Sequence, residues 1–190
     1  LSKIADDKGD GFLQGCIATV KLELYVFFQE WTKAFDLLME AGDVRSQLVG
    51  VFIGVRFTCL EALACLKRAQ TATALFNRMK CKRRGQKAMK LIRCWVKKGN
   101  VNAVHFLHLL EAELAALEQK CSKAEASYKS AIVVARKNGF LPDRALSHEL
   151  ASAYFARRGN DYWAEYHNEN ARTCYLDWGA TAKVQVEQRP

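Results

Sequence analysis

Apolar residues along this chain recur at steps of three and four, and strict alternation of apolar and polar positions is scarce, so the pattern predicts helices throughout. Over residues 12–28 the stripe is Ile17, Val20, Leu24 and Phe27. A second helix is predicted over residues 30–41, with Gly42 as its stop and Asp43 as the N-cap of the next. Residues 44–69 read as one long helix with Leu48, Phe52, Val55, Cys59, Ala62, Leu66 and Ala69 down one side and Gly50 and Gly54 placed for close packing on a neighbour. A short helix or loop is expected between Thr71 and Arg78. Ala88, Leu91, Ile92, Trp95 and Val96 then mark an amphipathic helix that Gly99 and Asn100 end. Leu107, Leu110, Leu114 and Leu117 line the helix of residues 101–119, and Ser122 with Glu125 forms a capping box for the one after it. Asn138 and Gly139 close that helix, Pro142 and Asp143 open another that Gly159 closes, and Asn160 and Asp161 open the last, which ends at Gly179.

The second half repeats itself. Ala124, Tyr128 and Ala131 return 40 residues later as Ala164, Asn168 and Ala171, and Ala34, Leu38 and Ala41 share the same steps of four and three. Small residues so spaced lie on one helix face and let a neighbouring helix approach closely. The expected fold is therefore all-α, a stack of antiparallel helical hairpins over about residues 12–41, 44–98, 101–138 and 142–178. Residues 1–11 are expected to be a mobile lead-in, 12–179 the repeat domain, and 180–190 a polar tail.

Composition sharpens this picture at one place. Of 29 basic residues, Lys67, Arg68, Arg78, Lys80, Lys82, Arg83, Arg84, Lys87, Lys90, Arg93, Lys97 and Lys98 fall between Ala62 and Leu110, a span without any acidic residue. The other 17 basic residues face 20 acidic ones, so the net charge of +9 belongs to this segment. The longest stretch free of Asp, Glu, Lys and Arg, 12 residues ending at Leu110, is too short and too polar to cross a membrane. Seven scattered cysteines, with no Cys-x-x-Cys, fit free thiols in a cytoplasmic protein better than disulfides or a zinc site. Leu1 at the start suggests a piece of a longer polypeptide.

The alanine pairs Ala34/Ala41, Ala124/Ala131 and Ala164/Ala171 resemble the second-helix alanines of a tetratricopeptide repeat (TPR), with Tyr128 as its aromatic and Ala112 and Ser152 as its small first-helix positions. That resemblance implies a right-handed, TPR-like solenoid. The period departs from the repeat's 34 or so, and Asn168 stands where an aromatic belongs. Residues 135–140 (ARKNGF), 144–159 (RALSHELASAYFARRG) and 171–180 (ARTCYLDWGA) further resemble the helical region of large signalling proteins. Trp95 after a lysine-rich helix, and Phe106, Leu107 and His108 before Glu111, Ala112 and Glu113, are similar to the same region. Such proteins join a serine/threonine kinase domain, a P-loop signalling ATPase of the STAND type, this helical tail and often a sensor histidine kinase. The resemblance implies a non-catalytic segment for protein–protein interaction and conformational relay. No P-loop, kinase or histidine-kinase ATP motif occurs in the chain, so no catalytic residue carries over and no cofactor is expected.

Candidate chemistry is sparse. Asp6, Lys8 and Asp10 begin like a calcium loop, but Ile17 occupies the place of its closing glutamate. His105, His108 and Glu111 on successive turns lack a second helix of ligands, and His148 with Glu149 and Glu165 with His167 and Glu169 form no metal motif. The candidate partner surface is the basic face of Lys82, Arg83, Arg84, Lys87, Lys90, Arg93, Lys97 and Lys98. A solvated face of the repeat, with Trp95 in the core, or a contact with another domain of the same polypeptide is the first expectation there and a separate protein partner the next; the alternative is a nucleic-acid- or acidic-surface-binding protein using residues 67–98.

Overall fold

The computed structural model describes residues 11–187 and is helical, with no strand among them. The expected lead-in, with its calcium-loop candidates, lies outside the described residues except for Gly11. The chain divides into two compact units at Gly99. The first contains α1 (Gly11–Phe27), α2 (Trp31–Glu40), α3 (Val44–Gln47), α4 (Phe52–Thr71) and α5 (Leu75–Lys97). The second contains a 3-10 turn (Val101–Ala103), α6 (Val104–Leu117), α7 (Cys121–Lys137), α8 (Leu141–Arg157), α9 (Asp161–Trp178) and α10 (Thr181–Glu187).

The first unit is organised around α4, which packs against α1, α2, α3 and α5. Every side chain from Phe57 to Lys67 is buried, as expected of a helix apolar on all faces rather than along one stripe. The single long helix expected over residues 44–69 does not form. Leu48 turns inward, Gly50 adopts φ +81°, and α4 starts afresh at Phe52. A left-handed residue cannot continue a right-handed helix, and glycine adopts that conformation without a side-chain clash. Gly54 serves this same turn and not a neighbouring helix: a Cβ there would sit 2.5 Å from the Leu48 carbonyl oxygen. The buried stripe of α1 also differs from the expected one. Gly15, Ala18, Leu22 and Val26 face the core while Val20 and Leu24 are exposed, because small side chains let Leu48 approach Gly15 and Arg56 of α4 pairs with Glu23.

In the second unit, α6 pairs with α7 and α8 with α9, and α7 also packs on α8. Ala112, Ala124, Tyr128, Ala131 and Ala171 are buried at these contacts, as is Ala34 in the first unit. Ala41, at the end of α2, and Ala164 are half-buried. Ser152 closes the α8–α9 approach by donating its hydroxyl to the Ala164 carbonyl oxygen at 2.8 Å. The Ser122/Glu125 capping box is not formed: α7 begins at Cys121, after Lys120, with no capping side chain. Part of the expected polar tail is instead α10, whose Lys183 and Val184 are buried, Lys183 against Glu149 of α8.

Because Ala131 and Ala171 are buried between helices, Ala131→Leu and Ala171→Leu should overpack the unit and lower stability in urea by about 1–3 kcal/mol, whereas Ala126→Leu, on the exposed face of α7, should change it little. Equal midpoints for the three variants would contradict the packing described.

Candidate functional site

Lys67 and Arg68 of the basic segment belong to α4 and nearly all the rest to α5, whose cations are not alike. Arg84 is not an open cation. Its Nε donates to Glu61 Oε1 at 2.9 Å and its Nη2 to the Leu38 carbonyl at 3.2 Å, so it ties α5 to α4 and α2. Arg83, Lys87, Lys90, Lys97 and Lys98 are exposed; Lys82 and Arg93 are half-buried. Ala88, Met89 and Ile92 provide the buried side of the helix, Trp95 is half-buried, and Leu91 turns out to be exposed.

The two histidines of α6 take separate roles. His105 is buried, with Nε2 at 2.8 Å from Asp143 Oδ2 of α8 and its ring stacked on Phe140. His108 lies 3.7 Å from Glu111 at the surface. Among the described residues no cluster of three His, Cys, Asp or Glu side chains is placed to hold a metal ion.

What the fold does assemble is a groove of about 640 Å³ walled by α7 and α9 and floored by α8. Ile132, Val133, Lys129 and Arg136 come from α7, Arg144, His148 and Phe155 from α8, and Trp163, Tyr166, His167 and Asn170 from α9. Its volume falls in the ordinary range of ligand pockets. The spacing of Arg144, His148 and Phe155 puts them on one face of α8. Phe155 stacks on His167 with ring centroids 5.5 Å apart, and Trp163 meets Tyr166 edge-on.

The two histidines bond to each other, Nδ1 to Nδ1 at 3.0 Å, so one ring donates and the other accepts, which requires at least one of the pair to be neutral. Burial holds His148 down at about 3, with the His167 ring and the Arg144 guanidinium acting in the same direction, and burial also lowers His167. Two polar atoms in the groove's lining are enclosed and have no hydrogen-bond partner: Arg144 Nε and His148 Nε2. Sequence reasoning noted His148 and His167 separately and passed over Arg144. The usable signal was their position on either side of Gly159, since residues at similar distances from the turn of an antiparallel hairpin face each other.

Comparisons of the chain with protein-family models, with curated proteins and with solved structures find no match. No described helix is long and apolar enough to cross a membrane.

An unfolded histidine takes up a proton below about pH 6.5, whereas native His148 refuses one until about pH 3, so stability falls as pH drops through that window. Between pH 7 and pH 5 the wild-type chain should lose on the order of 2 kcal/mol more than the His148→Leu variant in urea unfolding. The same pH dependence in both would contradict the buried neutral ring.

Proposed function

We propose that this chain is a non-catalytic, TPR-like helical-repeat module that holds a segment of another protein, or of its own longer polypeptide, and relays that contact within a signalling ATPase or kinase. The observation that carries the reading is the α7–α9 groove, an aromatic and cationic recess whose polar floor has unmet hydrogen-bonding capacity. Supporting it, the alanines that match the repeat (Ala112, Ala124, Ala131 and Ala171) lie buried between helices, as stacked hairpins require. Three titratable pairs, His105 with Asp143, Tyr128 with Glu113 and Lys183 with Glu149, serve as contacts between helices. The signalling context rests on the sequence resemblance, and a cytoplasmic location on the seven scattered cysteines.

A second reading is favoured by α5, where Arg83, Lys87, Lys90, Lys97 and Lys98 stand exposed on a helix that has no acidic residue. Such a face suits a nucleic acid or another acidic surface, with binding that weakens as salt is added.

Two titrations separate these readings and test the first. Magnesium–ATP added to the chain should give no saturable heat and no phosphate release above buffer; a micromolar site would overturn the scaffold assignment. Duplex DNA at physiological salt should not bind measurably, whereas salt-sensitive binding lost on neutralising Arg83, Lys87, Lys90 and Lys97 together would favour the second reading.

A further inference from the structure

The groove asks for a particular chemistry. Arg144 is permanently charged and half-buried, and among the described residues it has no ion pair and its enclosed Nε finds no acceptor. His148, 3% exposed, lies one helical turn away with Nε2 likewise unmet and its ring neutral. Glu125 is the one carboxylate in the lining, against Lys129, Arg136 and Arg144. A half-buried guanidinium whose Nε is enclosed without an acceptor is unfavourable, and an incoming anion that accepts hydrogen bonds from the guanidinium offsets that cost. The planar fork matches a carboxylate's two oxygens, and one half-buried guanidinium beside neutral imidazoles, with Lys129 and Arg136 partly offset by Glu125, suits one negative charge better than the several carried by a nucleotide. Beside it, Phe155 and Trp163 present ring surface, with Trp163 43% exposed and open to contact.

We propose that the groove binds a peptide segment in which an aromatic side chain adjoins an Asp or Glu: the ring packs on Phe155 and Trp163, and the carboxylate takes the Arg144 guanidinium. This occupant rests on the protein-interaction reading above and specifies its chemistry. His148 is a positioning residue here, holding the His167 ring through their shared hydrogen bond so that the stack on Phe155 forms the groove wall.

The test is an NMR titration of the whole 190-residue chain with three probes: acetyl-Gly-Trp-Glu-Gly-amide, the same peptide with Gln for Glu, and phenylacetate. The Glu peptide should bind and shift the His148 and His167 ring resonances, with the Gln peptide about tenfold weaker or worse. Arg144→Gln should remove the preference for Glu while leaving the helical spectrum intact. Should that variant fail to fold, Arg144→Lys, which keeps the charge and loses the fork, should weaken the Glu peptide alone, and Trp163→Ala should weaken both peptides. Equal binding of the Glu and Gln peptides, wild-type preference in the Arg144 variant, or no binding at about 5 mM overturns the proposal. Phenylacetate binding as tightly as the Glu peptide also overturns it, marking a site for small organic anions. A null result with every probe removes this occupant and leaves the scaffold assignment to the ATP titration.

Discussion

A glutamate buried on the first helix of each of three helical pairs sets how the second helix lies against it. Glu61 on α4 meets Arg84 of α5 and faces Arg45 of α3; Glu113 on α6 accepts from Tyr128 of α7; Glu149 on α8 takes Tyr175 of α9 and Lys183 of α10. A carboxylate taken out of water costs several kcal/mol unless donors reach its oxygens, so a pairing that brings donors to it is favoured; at Glu61 the donor from Arg84 reaches Oε1, while Oε2 has no hydrogen bond among the described residues and only faces Arg45 at 3.6 Å. Apolar packing alone is more permissive, because Leu, Ala and Cys surfaces slide with modest penalty. The burial that encloses Tyr128 keeps its phenol protonated well beyond its usual range, with Glu113 acting in the same direction, so it stays a donor.

The groove follows from that constraint. With Glu149 turned toward Tyr175 and Lys183, the adjoining face of α8 directs Arg144, His148 and Phe155 into the space between α7 and α9. The Ser152 contact with Ala164 then brings α9 close enough for His167 to reach His148 and stack on Phe155. One helix thus holds its carboxylate toward a structural partner and its cation toward the open recess. In the first unit Arg84 of α5 is instead committed to Glu61 of α4.

Local pattern was enough for the helices and for the closely packed alanines, since both depend on spacing along the chain. The ends of α5, α7, α8 and α9 at Gly99, Asn138, Gly159 and Gly179 fall where turn chemistry placed them. What escaped was decided by partners far away in sequence. The Arg84–Glu61 pair spans 23 positions and the Lys183–Glu149 pair 34, so Arg84 read as one more exposed cation and Lys183 as part of a polar tail, though the fold half-buries the first and buries the second. The α3–α4 break escaped because Gly50 was weighed as a packing residue and its left-handed conformation is visible only in the folded chain. Arg144 escaped because what marks it is the absence of a partner.

The most direct test of the buried-glutamate account is a double-mutant cycle on Glu113 and Tyr128, which meet at 2.9 Å inside the second unit. Urea unfolding of the wild type, Glu113→Gln, Tyr128→Phe and the double variant gives their coupling energy. The account predicts coupling on the order of 1.5–3 kcal/mol, since losing the phenol strips a donor from an enclosed carboxylate. Additivity within about 0.3 kcal/mol would show that apolar packing alone sets the helix pairing.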